Sequence, residues 1–314
     1  MYPTTRLAGY VVLLLTPVAL LASALFSGGV SAVVLGLEGG VVLAGGVAAA
    51  TERERALEAP DAHELDAGDL ADALAVLAAA VVTYVLSVRF GLGPVVASAL
   101  VGLAAGVGTP RIAVPAYCGS FVGMASPSLF PSVGYLAFAG LVSGVAFVAA
   151  ERAFDGFGGK LGTLALFGCA TTAALTGADF AAGSALAWAD ALVVVPVSVA
   201  GAVATVVLSL RLDLGAVVGS ALVGLAAGLG LPAMSGVSGE TLAAAAFCAS
   251  FVGMTSTDRL DGEERVALAG AVCGLVFVAV AAAFSGAGGK LGTIAFVSCV
   301  TTAGAEGLVV RARA

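Results

Sequence analysis

Lysine occurs twice in this chain, and both copies stand in the same hexapeptide: Gly158-Gly159-Lys160-Leu161-Gly162-Thr163 and Gly288-Gly289-Lys290-Leu291-Gly292-Thr293. The other eleven basic residues are arginines. Glycines let a backbone turn sharply and admit a close neighbour. A hydroxyl near a helix start can satisfy a free amide. An ammonium beside a helix N-terminus makes a site for an anion. The chemistry to expect is therefore anion recognition by Lys160 and Lys290, with Thr163 and Thr293 beside them. The alternative is a pair of interfacial lysines that snorkel or hold lipid phosphate. The glycine spacing is not that of a Walker phosphate loop.

A second motif also recurs. Cys118-Gly-Ser120-Phe-Val-Gly-Met124-Ala-Ser126 matches Cys248-Ala-Ser250-Phe-Val-Gly-Met254-Thr-Ser256. Serines and a polarizable methionine on a short segment can line a narrow path, and Pro115 can kink the first copy. The competing reading is a small-residue helix packed between neighbours. Ser98, Gly102 and Gly106, matched by Ser220, Gly224 and Gly228, form small-xxx-small packing stripes. Glu38 interrupts a long apolar run. An ionisable group there is expensive and therefore a functional candidate, able to take up a proton or pair with an arginine. Alternatively, 30–37 and 41–50 are two short pieces with a wet Glu38 between them. Arg89 and Arg211 read as interfacial anchors, and the acidic stretch around His63 as solvated surface. The five cysteines lie in apolar stretches without CxxC spacing, which points to buried free thiols rather than a metal or redox centre. No cofactor is expected.

These motifs need elements to hold them, and composition says which. The chain is 60% hydrophobic and 11% charged, with a mean hydropathy of +1.11. A soluble domain carries about 25% charged residues. The pattern predicts an all-α polytopic membrane protein with ten to twelve transmembrane segments. Arg6 followed by the apolar run Leu7–Phe26 suits a first transmembrane helix better than a signal peptide, whose apolar core is shorter. Much of the net charge of -7 comes from Thr51–Leu70 and Asp258–Arg265. An acidic, alanine-rich chain with arginine far above lysine suggests a salt-adapted, halophilic source.

The duplication sets the architecture. Thr83–Pro110 aligns with Thr205–Pro232 without a gap, and Ser98–Gly106 recurs identically as Ser220–Gly228. Five apolar segments per copy are expected: 71–88, 94–108, 112–128, 133–153 and 162–177, then 189–210, 216–230, 242–256, 266–284 and 291–306. The layout is two unrepeated helices within 1–50, an acidic cytoplasmic loop at 51–69, repeat 1 at 70–180, repeat 2 at 188–306 and a short cytoplasmic tail at 307–314. The second and third segments of each copy fall short of the roughly 20 residues a crossing needs. If every segment crosses, the repeats are inverted, and eleven of the thirteen basic residues face the cytoplasm with the N-terminus. If the third segment is re-entrant, the repeats are parallel and the split is eight to five. The positive-inside bias favours inversion and a multi-pass protein of the cell membrane.

Inverted repeats suit a transporter or channel, with the path where interrupted helices of the two halves meet. Two lysines and few buried acids favour an anionic or neutral polar solute over a cation. A non-transporting membrane scaffold or partner-binding subunit is the other reading. Catalysis is not expected, because no Ser/His or Asp/Asp pair stands at credible spacing. Lipid, a small solute and a second copy of the chain are the expected partners; nucleic acid is not. The five-plus-five arrangement with short helices resembles, in outline, urea channels and several sodium-coupled carriers. The motifs above match no signature of either, so the resemblance concerns the fold alone.

Overall fold

The computed structural model describes residues 3–27, 32–57, 65–233 and 238–313. His63, with the rest of 58–64 in the acidic loop, lies outside the described residues, as does half of the eight-residue insertion of the second copy. Among the described residues all regular structure is helical. Two helices precede the duplicated part: α1 (Pro3–Ser27) and α2 (Ala32–Leu57). The first copy holds α3 (Ala67–Tyr84), α4 (Pro94–Gly108), α5 (Ala113–Val122), α6 (Val133–Ala149) and α7 (Lys160–Thr176). The second holds α8 (Ala191–Val206), α9 (Ala216–Gly230), α10 (Gly239–Val252), α11 (Glu263–Ala279) and α12 (Lys290–Arg313).

Six stretches are long and apolar enough to cross a membrane: Thr5–Phe26, Ala32–Arg55, Ala67–Arg89, Trp188–Arg211, Ala216–Ala233 and Lys290–Ala312. Three shorter apolar helices accompany them, Pro94–Gly108, Val133–Ala149 and Gly239–Val252. The outer surface is apolar as well: Leu43, Leu192 and Leu229 are each mostly exposed. In water such a surface would drive aggregation; in a bilayer it is wetted by acyl chains.

The acidic stretch does not begin where α2 was expected to stop. Residues 51–57 continue α2 as helix, and residues 307–313, expected as a tail, continue α12. Residues 51–57 are rich in good helix formers (Glu, Arg, Ala, Leu), 307–313 carry Leu, Ala and two Arg, and neither stretch contains proline. The continuous α2 also overturns the reading of Glu38 as a wet break between two short helices.

Local sequence explains the matched elements. α3 starts on a capping box, with the Asp66 carboxylate accepting from the amides of Gly68 and Asp69 while Asp69 accepts from the Asp66 amide. α3 and α8 each end in a π-helical turn at the same place, Val85–Arg89 and Val207–Arg211. Such a turn widens the helix and releases carbonyls early.

Contacts between the copies come in reciprocal pairs. Gly106 near the end of α4 lies against Val217 and Val218 at the start of α9, and Gly228 near the end of α9 lies against Val95 and Val96 at the start of α4. α4 and α9 are therefore antiparallel neighbours. The starts of α7 and α12 cross in the same sense: Gly159 faces Phe296, Gly289 faces Leu166, and Gly162 meets Gly292. α2 lies parallel to α12, with Ala44 against Gly304 and Val47 against Gly307.

Candidate functional site: a vestibule floored by aromatic rings

The two repeated motifs meet, but each meets the other copy's partner. The Ser126 amide donates to the Gly286 carbonyl at 2.8 Å, and the Ser256 amide donates to the Gly156 carbonyl at 2.8 Å. The Gly158 amide donates to Thr255 Oγ1 at 3.1 Å, and Gly288 packs on the carbonyls of Phe121 and Val122. Unwound backbone after α5 is thus satisfied by the loop before α12, and backbone after α10 by the loop before α7. This is the condition for irregular backbone to survive inside a membrane. Gly159 and Gly289 take positive φ of 81° and 84° to start α7 and α12 there.

Where the copies meet, rings fill the space. Phe121 and Phe251, matched residues of the duplication, have centroids 4.6 Å apart. Tyr117 lies 4.5 Å from Phe121 and Phe247 lies 4.7 Å from Phe251. All four are 2% exposed or less. Gly102 and Gly224 make room for them, since a Cβ at either would strike the ring of Tyr117 or Phe247. The polar passage expected between the copies is therefore closed here by packed aromatic side chains.

Hydroxyls brace this cluster. Ser250 Oγ donates to the Phe247 carbonyl at 2.7 Å. Having one proton, it must accept from Ser220 Oγ at 2.8 Å. Ser220 must then accept from the Tyr117 hydroxyl at 2.9 Å. By the same count, Ser98 donates to Ser120 at 2.8 Å, and Ser120 donates to the Tyr117 carbonyl at 2.7 Å. Ser120 and Ser250, expected along a path, are fully buried braces. Their protons go to the carbonyls three residues earlier in the same helix.

A cavity of about 320 Å³ sits on one side of the rings, between the copies. Phe121, Phe251, Met254, Lys160, Glu151 and Asp155 are among the residues that line it. That volume lies at the lower end of small-molecule sites. Met124 and Ser126, like Met254 and Ser256, are half-buried. Ser126 Oγ pairs with Ser128 Oγ at 2.7 Å, and Ser256 packs beside Gly156.

The lysines do not converge on this cavity. Lys160 lines it; Lys290 is not among its lining residues. Each Nζ turns back to a carbonyl nine residues earlier, Glu151 at 2.8 Å and Ala281 at 2.6 Å. These carbonyls lie just beyond α6 and α11, where a cation completes the free acceptors of a helix end. The starts of α7 and α12, where an anion was expected, cover each other with backbone at Gly162 and Gly292. Thr163 and Thr293 also depart from expectation. Their hydroxyls donate to the carbonyls of Gly159 and Gly289, at 3.3 and 3.2 Å, because they lie one turn inside the helix rather than at its cap.

One group of charges holds the rim. Arg259 donates to the Glu52 carboxylate through Nη1 and, at 3.1 Å, through Nη2. It also donates from Nε to the Asp155 carbonyl at 2.8 Å and covers the Phe157 ring at 4.9 Å. The Glu52 side chain is 3% exposed. Arg265 with Glu306 and Arg211 with Glu263, each at 2.7 Å, belong to the same end of the bundle. Arg211 is thus an ion-paired anchor. Glu38 is 6% exposed, and its Oε1 has no hydrogen-bond partner among the described residues. All five cysteines are free and buried.

Sequence reasoning passed over Glu52, Arg259, Tyr117, Glu151 and Asp155. A usable signal was there, since four of them break the duplication: Arg259 stands opposite Leu129, Tyr117 opposite Phe247, Glu151 opposite Ala281 and Asp155 opposite Ser285. Departures from the repeat mark where the two ends of the molecule differ. No family model, curated protein or solved structure matches the chain.

Proposed function

We propose that the chain is a membrane transporter or channel for a small polar solute, built from two inverted repeats. The antiparallel, reciprocal contacts of α4 with α9 support inversion: a twofold that reverses helices running across the membrane must lie in the membrane plane. The charged end, with Arg6, Arg53, Arg55, Arg259 and Arg311, is then cytoplasmic by the positive-inside bias. The observation that carries the reading is the cavity between the copies, which Phe121 and Phe251 line together. Two matched rings in tilted contact where the copies meet are suited to gate a path by parting. One ammonium and two carboxylates line the vestibule, so its charge suits an uncharged or zwitterionic polar solute better than the anion expected from the lysines.

The test is flux into liposomes holding the purified protein, with urea, glycerol, glycine and chloride as probes. Uptake of an uncharged or zwitterionic probe above protein-free liposomes is expected, rising several-fold in the Phe121→Ala/Phe251→Ala variant. No flux in either protein, with helix content retained, overturns the reading. The dry packing of the four rings favours a second reading, a membrane scaffold whose copies meet only for packing, and that null result would select it.

A further inference from the structure

Glu38 plays no part in the vestibule, yet it is the most costly side chain in the bundle. It sits on α2 fourteen residues before Glu52, which at 1.5 Å per residue is about 21 Å along the axis from the charged end. Against a hydrocarbon core about 30 Å thick, that depth is well inside the bilayer. Its side chain is buried and Oε1 is unpaired among the described residues.

Among the described residues no charge stands near enough to hold it ionised. α1 has no charged residue after Arg6, and its Tyr10 hydroxyl donates instead to the Ala49 carbonyl. α12 has none between Lys290 and Glu306. The parallel register of α2 on α12 puts these two about 12 Å from Glu38 on either side. Each is also engaged, Lys290 with the Ala281 carbonyl and Glu306 with Arg265. α11 keeps its charges at the far end, on Glu263, Glu264 and Arg265. Asp190, beside the nearby loop, accepts from the Ala187 amide.

A lone buried carboxylate loses its hydration without replacement, and protonation removes that cost. A cavity stands one turn away along α2. Val34, one turn from Glu38 on the same face, lines a cavity of about 240 Å³ with Trp188, Ala187 and Ala282. This cavity lies towards the end opposite the charged rim.

We propose that Glu38 is a proton-binding site within the membrane, carrying its proton in this closed arrangement and exchanging it with water through the cavity at Trp188. The chemistry is a simple association, a carboxylate and a proton forming a neutral carboxylic acid.

The test is infrared spectroscopy of the full-length protein in lipid at neutral pH. The expected result is a carbonyl band of a protonated carboxylic acid that shifts in D₂O and falls to background in Glu38→Gln. Glu38→Gln should also melt within a few degrees of wild type, because an amide replaces a neutral acid of the same shape. Absence of the band, or its survival in Glu38→Gln, overturns the proposal. A marked loss of stability in Glu38→Gln does so too, since it would mean a charged, paired Glu38. None of these readouts involves solute flux, so this proposal and the transport reading stand or fall separately.

Discussion

Gly162 and Gly292 meet backbone to backbone: a Cβ built on Gly162 would lie 2.5 Å from the Gly292 Cα, and one built on Gly292 would lie 2.6 Å from the Gly162 Cα. Both obstacles are main chain and cannot rotate away. Gly162→Ala is expected to cost about 2 kcal/mol or more by overpacking. Gly40→Ala, with nothing within 4 Å of its Cβ, should be neutral or gain up to about 1 kcal/mol from helix propensity. Thermal unfolding in detergent separates the two, and a wild-type melt for Gly162→Ala would remove this crossing from the account of the fold.

The ring cluster gives a graded series. Tyr117→Phe deletes one hydroxyl but leaves a ring that the matched position, Phe247, already tolerates. It should cost about 1 kcal/mol, the loss of one hydrogen bond. Tyr117→Ala empties the space beside Gly102 and should cost about 3–5 kcal/mol. Equal losses would show that the hydroxyl chain, rather than the ring packing, holds the seam.

Arg259 and Glu52 should be strongly coupled although 207 residues separate them. A double-mutant cycle with Arg259→Met and Glu52→Gln is expected to give about 1–3 kcal/mol. Arg211 with Glu263 is more exposed, at 65% and 39%, and should give less than about 1 kcal/mol, falling with added salt. The reverse order would mean that the rim is not held by the buried pair.

Met254→Cys should report on the vestibule directly, since the native cysteines are all buried. Impermeant thiol reagents should label it from the cytoplasmic side only. A cationic reagent should react several-fold faster than an anionic one because Glu151 and Asp155 outnumber Lys160. Asp155→Asn should shrink that preference. Labelling from the outside would reverse the assigned orientation, and faster anionic labelling would restore the lysine as the dominant charge.

The two lysines should behave differently despite their shared hexapeptide. Lys160→Met and Lys290→Met each remove a bond to a free carbonyl and should destabilise alike, by about 1–3 kcal/mol. Only Lys160→Met should change the labelling rate at Met254→Cys. An effect of Lys290→Met as large as that of Lys160→Met would place both ammonium groups on one path.

Much of the architecture was legible from residue order. Helical segments at 94–108 and 216–230 follow from apolar runs bounded by Gly93-Pro94 and Gly215 on one side and Gly108 or Gly230 on the other. The shortness of α5 also follows, because Gly123 and the polar Ser126-Pro127-Ser128 stretch interrupt it. The helix ends at 57 and 313 are not legible from the charges around them, because Glu and Arg extend a helix readily once it has begun.

What sequence alone determined was local and periodic: apolar helices for a bilayer and a doubled set of motifs. Tertiary structure alone decided which copy's loop satisfies which copy's backbone, that the helix starts bury each other at Gly162 and Gly292, and that four rings close the seam. It also turned Lys160 and Lys290 away from a shared site and joined Glu52 to Arg259. The reason is that hydrophobicity and propensity act along a few turns of chain. Hydrogen bonds and ring contacts between residues about a hundred or more apart depend on how the copies dock, and no spacing along the chain encodes that.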